Sequence, residues 1–331
     1  MNEEIGITMW AMQLVAPQKF KRVMIDAPDQ ETLGPGEVIA ELVAGGLCGS
    51  DLPTFFGRSG GQSIRETVPG APMHEVVGKV LATRSARLKV GDFVVGALPQ
   101  YIGIAEQFRC PDSNLVRMDP RLPRIEAVTA QPVATVLNSV ARIPTELPNR
   151  RAAVFGLGPL GLAFCHVLKS KGFEVTGIDR VDRSEVVEHF GIDHFVHDSV
   201  EHWARQVNQM EGPAVVVDAI GHDQDLVIAA IGVLAAHGHF VEFGLAEEWA
   251  VLPLRKFLQK HLSMHACTTT DWIRFLEEGQ RYVAEHPELY EIGVTHRFHP
   301  WDAQKAFELH SVPQQGRLKV LLVPGLEAPT E

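Results

Sequence analysis

The sequence is poor in cysteine, poor in positive charge and without a long apolar run. Its four cysteines (Cys48, Cys110, Cys165 and Cys267) form no spaced framework. That excludes a disulfide-stapled secreted domain and fits a reducing compartment. No stretch approaches the ~20 apolar residues of a membrane span. The opening Met1-Asn2-Glu3-Glu4 has neither a basic n-region nor an apolar h-region, so a cytoplasmic location is expected. Lys and Arg number 30 against 41 Asp and Glu, giving a net charge of −11 and a pI near 5.8. With no basic run to offset this balance, nucleic acid and anionic membrane are excluded as main partners, and small neutral or cationic ligands remain. Internal repeats and low-complexity tracts are also missing.

What remains is a chain built to bury large cores. It has 331 residues, 45% hydrophobic and 21% charged, with a mean hydropathy of +0.01; at roughly 100–200 residues per domain this suggests two domains. The first third is β-rich, with short runs at Glu37–Ala44, Glu75–Ala82, Asp92–Ala97 and Asn114–Met118 between Gly/Pro turns. Apolar residues at helical spacing follow over Arg124–Arg142. Then the texture changes. Strands are predicted at Ala152–Phe155, Glu174–Ile178, Phe195–Val196, Ala214–Ala219 and His239–Phe243. They alternate with helices at Leu160–Lys171, Asp182–Phe190, Ser199–Gln209 and Leu226–Ala236. Such alternation means βαβ units and a parallel sheet. The C-terminal part carries a strand-like Leu262–Cys267, a long helix from Asp271 and a closing strand Leu318–Val323.

Gly156-Leu157-Gly158-Pro159-Leu160-Gly161 follows a predicted strand and opens a helix. The first Gly permits a tight turn, the second lets backbone approach a pyrophosphate, and the third lets helix and strand pack closely; the helix N-terminus offers free N–H groups. Asp179 ends the next strand, where a carboxylate would hold a ribose 2′-hydroxyl. It favours NAD, since a 2′-phosphate would meet a like charge. Arg180 and Arg183 stand close enough to keep NADP open.

Three further segments carry chemistry: Gly45-Gly46-Leu47-Cys48-Gly49-Ser50-Asp51, Pro72-Met73-His74-Glu75-Val76-Val77-Gly78 and Val90-Gly91-Asp92-Phe93-Val94-Val95. Taken singly, Cys48 and His74 read as core residues. Taken in order, with the glycine-rich turn and the terminal Leu318–Pro324 strand, they resemble the medium-chain dehydrogenase/reductase superfamily, in particular its zinc-dependent alcohol and polyol dehydrogenases. The resemblance runs from about Met12 to Pro324. It implies a GroES-like β-rich catalytic domain built from residues 1–142 and 276–331, with a Rossmann doubly wound parallel-sheet domain at 143–275. It also implies Cys48 and His74 as zinc ligands, Glu75 in or just outside the shell, Ser50 on the substrate hydroxyl, and Asp51 holding the histidine. Gly156, Gly158, Pro159, Leu160, Gly161, Asp179 and Arg180 would form the cofactor site.

Three departures qualify that carry-over. The third ligand, commonly a Glu in a Glu-Pro-Leu segment, is replaced by Gln131 in Gln131-Pro132-Val133, and a neutral amide is a poorer zinc ligand than a carboxylate. The four-cysteine structural-zinc lobe is missing, so one catalytic zinc and no structural zinc is expected. Pro53 stands where many members place a proton-relaying histidine. The expected activity is zinc-assisted hydride transfer between NAD and a small secondary alcohol or polyol, with the ketone in reverse. The alternatives are a zinc-free reductase of enones or quinones on the same fold, and a non-catalytic NAD-binding protein. Phe55, Phe56 and Tyr101 line the substrate cleft or pack in the core. Of fifteen histidines, the pairs His194/His197, His237/His239, His261/His265 and His296/His299 read as exposed or half-buried. Leu262–Cys267 is nominated as a dimer edge, with a homodimer or homotetramer expected.

Overall fold

The computed structural model describes residues 7–59, 62–63, 66–207, 211–244 and 249–329. One half of the architecture is a six-stranded sheet in the order His194–His197, Glu174–Asp179, Arg151–Phe155, Val215–Asp218, His239–Glu242, Ser263–Ala266. Every pairing in it is parallel. Numbered along the chain, these strands lie in the order 3-2-1-4-5-6 of a doubly wound nucleotide-binding sheet. Alternation along the strands serves two cores. Ala152 and Val154 pack into one apolar cluster, Ala153 and Phe155 into another on the opposite face. This two-sided burial is why such strands read as continuous apolar runs.

The other half is a seven-stranded sheet ordered Val294–Phe298, Lys319–Leu322, Glu37–Gly46, Glu75–Thr83, Phe93–Ala97, Leu115–Arg117, with Gln107–Pro111 also on Glu37–Gly46. The chain leaves this sheet at Arg117 and returns to it late: Leu321 pairs with Gly46 and Leu322 with Gly45. The α/β expectation, with a β-rich lobe interrupted by a parallel-sheet lobe, therefore holds. A hairpin of Thr8–Ala16 and Lys19–Asp26 adds a piece that the sequence pattern had not singled out.

Three helices weld the lobes. Ala130–Val140 packs against both Trp272–Glu285 and Pro159–Ser170. A Cβ on Gly279 would lie 2.6 Å from the Ala130 carbonyl oxygen and 3.1 Å from the Ala134 nitrogen, so only glycine permits this crossing. The resulting core unites Ala44, Val77 and Val95 of the β lobe with Val154, Leu162 and Phe164 of the parallel lobe. Residues 275 and 276 lie inside the continuous helix Trp272–Glu285.

One predicted helix is absent. Asp182–Phe190 is a succession of turns, although its apolar residues fall at helical spacing. Asp182 Oδ1 accepts the Ser184 N–H at 2.9 Å, closing a local turn. Arg183, 2% exposed, donates from Nη1 to the carbonyls of Gln314 at 3.0 Å and Arg317 at 3.3 Å. Tertiary anchoring of this arginine to the returning chain overrides the local periodicity. The helix expected over Ser199–Gln209 runs Val200–Gln206 behind its Ser199 cap, and part of its expected end lies outside the described residues.

Candidate active site

Strand Glu37–Gly46 ends in two glycines because two side chains press against it there. A Cβ on Gly45 would collide with the Met73 thioether, and one on Gly46 with the Glu75 carboxylate. Beyond them Cys48, extended at φ −117° and ψ 152°, leads into the single turn Gly49–Asp51. Asp51, fully buried, locks that turn. Its Oδ2 accepts the Cys48 N–H at 2.9 Å, and its own N–H donates to the Cys48 carbonyl at 3.0 Å. Its Oδ1 lies 3.1 Å from His74 Nδ1. One carboxylate thus fixes both the backbone of the thiol and the ring of the imidazole.

Ligand atoms of Cys48, His74 and Glu75 all lie within 4.8 Å of one another. Burial by itself lowers the His74 pKa, but the Asp51 charge and hydrogen bond, aided by Cys48, outweigh it and hold the ring well above its ordinary 6.5. Burial raises the Glu75 carboxyl, and the Lys319 and His74 charges offset this only in part. Lys319 is 4% exposed. Its Nζ donates to Glu75 Oε1 at 2.6 Å and to the Leu47 carbonyl at 2.9 Å. It also sits 2.5 Å from Glu75 Oε2, so one ammonium spans both carboxylate oxygens.

Lys319 is the functional neighbour that sequence reasoning missed. Its signal was a single cation inside an otherwise apolar strand whose four residues are all buried. A buried ammonium demands a buried anion, and Glu75 supplies it.

Thiol, imidazole and carboxylate at one point form a donor set for a borderline-soft divalent ion, with a coordination position left for substrate. One feature of the fold favours such an ion here: the His74 ring that Asp51 orients. Gln131 is 3% exposed at the start of helix Ala130–Val140, which packs on strand Glu75–Thr83. Ser50 is half-buried in the Gly49–Asp51 turn. Pro53 lies in the short helix Leu52–Phe55. Phe55, 1% exposed, stacks with Phe20 and Phe307 in the β-lobe core, so it lines no cleft. Tyr101 does border the site, its ring centroid 4.5 Å from that of His74.

Across the cleft, the glycine-rich turn behaves as its spacing suggests. Gly156 has φ +81°, and a Cβ on Gly161 would collide with the Gly156 carbonyl oxygen. Gly158 is different: a Cβ there meets nothing within 4 Å. This glycine is therefore not required by packing and leaves open space over the N-terminus of Pro159–Ser170, a helix with no side-chain cap. Leu160 opens the same helix beside Pro159. Asp179 sits at the end of its strand, Oδ2 accepting the Leu157 N–H at 2.7 Å and Oδ1 the Val181 N–H at 2.8 Å. Each oxygen keeps a further lone pair for a hydroxyl donor. Arg180 extends to Glu201 at 3.2 Å, and Arg183 is committed to the Gln314 and Arg317 carbonyls. A pocket between the lobes is lined by Thr129, Pro132, Val133, Pro159, Leu162 and Lys319, among others. It joins the glycine-rich helix to the residue that holds Glu75.

Comparison with known proteins agrees with this geometry. Residues 34–119 match the alcohol dehydrogenase GroES-like domain and residues 159–282 match the zinc-binding dehydrogenase family. D-xylulose reductase of Saccharomyces cerevisiae is 26% identical, the match covering 95% of this chain and 98% of the yeast protein. L-arabinitol 4-dehydrogenase of Aureobasidium melanogenum is also 26% identical, over 88% of each chain. Among solved structures, an Escherichia coli CFT073 protein described as a short chain alcohol dehydrogenase, rspB, in complex with NADH superposes with a TM-score of 0.79. It is 21% identical, with 96% of this chain and 100% of that chain covered.

Proposed function

The chain belongs to the medium-chain dehydrogenase/reductase superfamily, and from that premise we propose that it transfers hydride reversibly between a nicotinamide cofactor and a small secondary alcohol or polyol. The observation that carries this reading is the meeting of Cys48, His74 and Glu75 in the lobe that faces the open Gly158 turn. Zinc, when bound, would acidify the substrate hydroxyl, and the nicotinamide would take up the hydride.

The chain's own residues do the rest. Cys48 and His74 would hold the ion, and Asp51 orients both. Glu75 stays with Lys319 or joins the shell beside Gln131. Ser50 accepts the departing hydroxyl proton at its Oγ and passes it toward solvent; with Pro53 in the relay position, cofactor ribose and water must complete the path. Gly156, Gly158, Pro159, Leu160 and Gly161 form the pyrophosphate cradle. Asp179 takes the ribose hydroxyl. Arg180 is engaged by Glu201 and Arg183 by backbone carbonyls, and the Asp179 carboxylate would repel a 2′-phosphate; both support NAD over NADP. D-xylulose reductase and L-arabinitol 4-dehydrogenase act on polyols or their ketoses, and this supports the polyol class as substrate.

The reading includes one catalytic zinc, no four-thiolate structural zinc, and lobes divided at 1–142, 143–275 and 276–331. It also includes a homodimer or homotetramer in the cytoplasm. Ser263–Ala266 is the edge strand of the parallel sheet with Met264 44% exposed, which supports pairing across that edge. Among the described residues no helix is long and apolar enough to cross a membrane. The test is nicotinamide reduction across a panel of secondary alcohols and polyols by wild type and Cys48→Ala. Turnover in the wild type and its loss in the variant are expected; turnover that survives the substitution removes zinc from the reaction and favours the zinc-free reductase.

A further inference from the structure

A second group of donors lies apart from the site above and shares no residue with it. His166 sits on the helix Pro159–Ser170, His286 caps the end of Trp272–Glu285, and Glu288 opens Glu288–Glu291. Their ligand atoms all lie within 4.8 Å of one another. His166 Nε2 is 2.8 Å from Glu288 Oε1, and His286 Nδ1 is 3.4 Å from the same oxygen. The two imidazole rings meet edge to face with centroids 4.7 Å apart. Only Pro287 separates the last two donors, and it fixes the turn at φ −63°.

We propose that His166, His286 and Glu288 form a second metal site, taking zinc or a similar divalent ion, that staples the cofactor-binding helix to the segment returning to the β lobe. Two imidazoles and a carboxylate are a recurring three-residue donor set for zinc, at 2.0–2.2 Å per bond. An ion entering between them displaces the direct His166–Glu288 hydrogen bond and needs only modest side-chain movement. His166 is 9% exposed, so one donor is already desolvated and held.

The surroundings supply the support that such a site requires. His166 Nδ1 is 2.8 Å from the Tyr282 hydroxyl, which also lies 3.5 Å from the His166 carbonyl oxygen. In the metal-free neutral ring, Nε2–H donates to Glu288 and Nδ1 accepts from Tyr282. When a metal takes Nε2, the ring's single N–H hydrogen shifts from Nε2 to Nδ1, with no net proton release, and donates to the Tyr282 oxygen. The tyrosine hydrogen then turns to the carbonyl. Tyr282 thus completes the network in both states and fixes the ring with its Nε2 lone pair toward the ion. The expectation of no structural metal rested on missing cysteines; this donor set uses none.

The experiment removes the first site to read the second. Cys48→Ser protein is incubated with zinc chloride, freed of excess by gel filtration and assayed for metal. One zinc per chain is expected, falling to essentially none when His286→Ala and Glu288→Gln are added. Tyr282→Phe should weaken zinc affinity about 10-fold or more. No zinc on Cys48→Ser, or equal zinc with and without the added substitutions, overturns the proposal; the latter result would mark adventitious surface binding. Should Cys48→Ser fold poorly, His286→Ala/Glu288→Gln is compared with wild type. A deficit of one equivalent, with cobalt(II) absorption that keeps its thiolate-to-metal band, is expected. Equal loading, or loss of that band, overturns it.

Discussion

The β lobe and the parallel lobe build their halves of the cleft by opposite means. In the β lobe the imidazole and carboxylate of the site are buried, and each is held by a counter-charge: His74 by Asp51, Glu75 by Lys319. In the parallel lobe the working groups are largely backbone, left open by the lack of a side chain at Gly158 in a turn whose close packing requires Gly156 and Gly161. The first half is therefore vulnerable to loss of a partner, the second to gain of a methyl group. Only Asp179 breaks the pattern, and it too is oriented by backbone N–H groups.

Substitutions that strip charge from the β lobe should do most damage. Cys48→Ala is expected to cost one equivalent of metal and on the order of 10³-fold in kcat, since metal assistance is worth several kcal/mol. In the same assay His286→Ala should leave kcat close to wild type, which separates a catalytic ion from a stapling one. Lys319→Met leaves the Glu75 carboxylate buried and unpaired, and about 3–5 kcal/mol of stability should go with it, read by urea denaturation. If the double change Lys319→Met/Glu75→Gln is no less damaging than Lys319→Met alone, the unpaired charge is not the cause.

A pH effect follows in the same lobe. Burial, then the Lys319 and Arg317 charges, push His310 down to about 4. Its folded pKa lies below the unfolded value of about 6.5, so the unfolded chain binds the extra proton. The stability that the neutral ring protects is intact above pH 6.5 and is lost between pH 6.5 and 4, on the order of 3 kcal/mol. His310→Leu should flatten that limb of the stability curve; an unchanged limb assigns it elsewhere.

The parallel lobe gives the smallest but most discriminating effect. Gly158→Ala meets nothing within 4 Å, so the melting temperature of the apoprotein should hold. KM for the nicotinamide cofactor should rise roughly 10-fold, or about 1.4 kcal/mol, because the methyl group enters space needed by the ligand. A fall in melting temperature with unchanged KM would make Gly158 a packing glycine like Gly161.

The same contrast explains what was legible in the sequence. The parallel lobe follows local rules, so strands buried on both faces, helices between them and the Gly156–Gly161 turn could be read in order. The failure there was Asp182–Phe190, where Arg183 reaches the carbonyls of Gln314 and Arg317, a contact that no local pattern carries. In the β lobe, motif order located Cys48, His74 and Glu75, but not the Lys319 pair, whose members are 244 positions apart. Phe55, grouped with Phe56 by adjacency, faces the core while Phe56 is 41% exposed. The cluster of His166, His286 and Glu288 was out of reach for the same reason: His166 and Glu288 are separated by 122 positions, and only the packing of the two helices brings them together.

The central claim is that a metal held by Cys48 and His74 does the chemistry. Its most direct test is turnover of a polyol panel with NAD before chelation, after chelation and after restoring zinc, in wild type and in Cys48→Ala. The account predicts activity that is lost on chelation and recovered with zinc in the wild type, and no recovery in the variant. Undiminished turnover in fully metal-free wild type would contradict it.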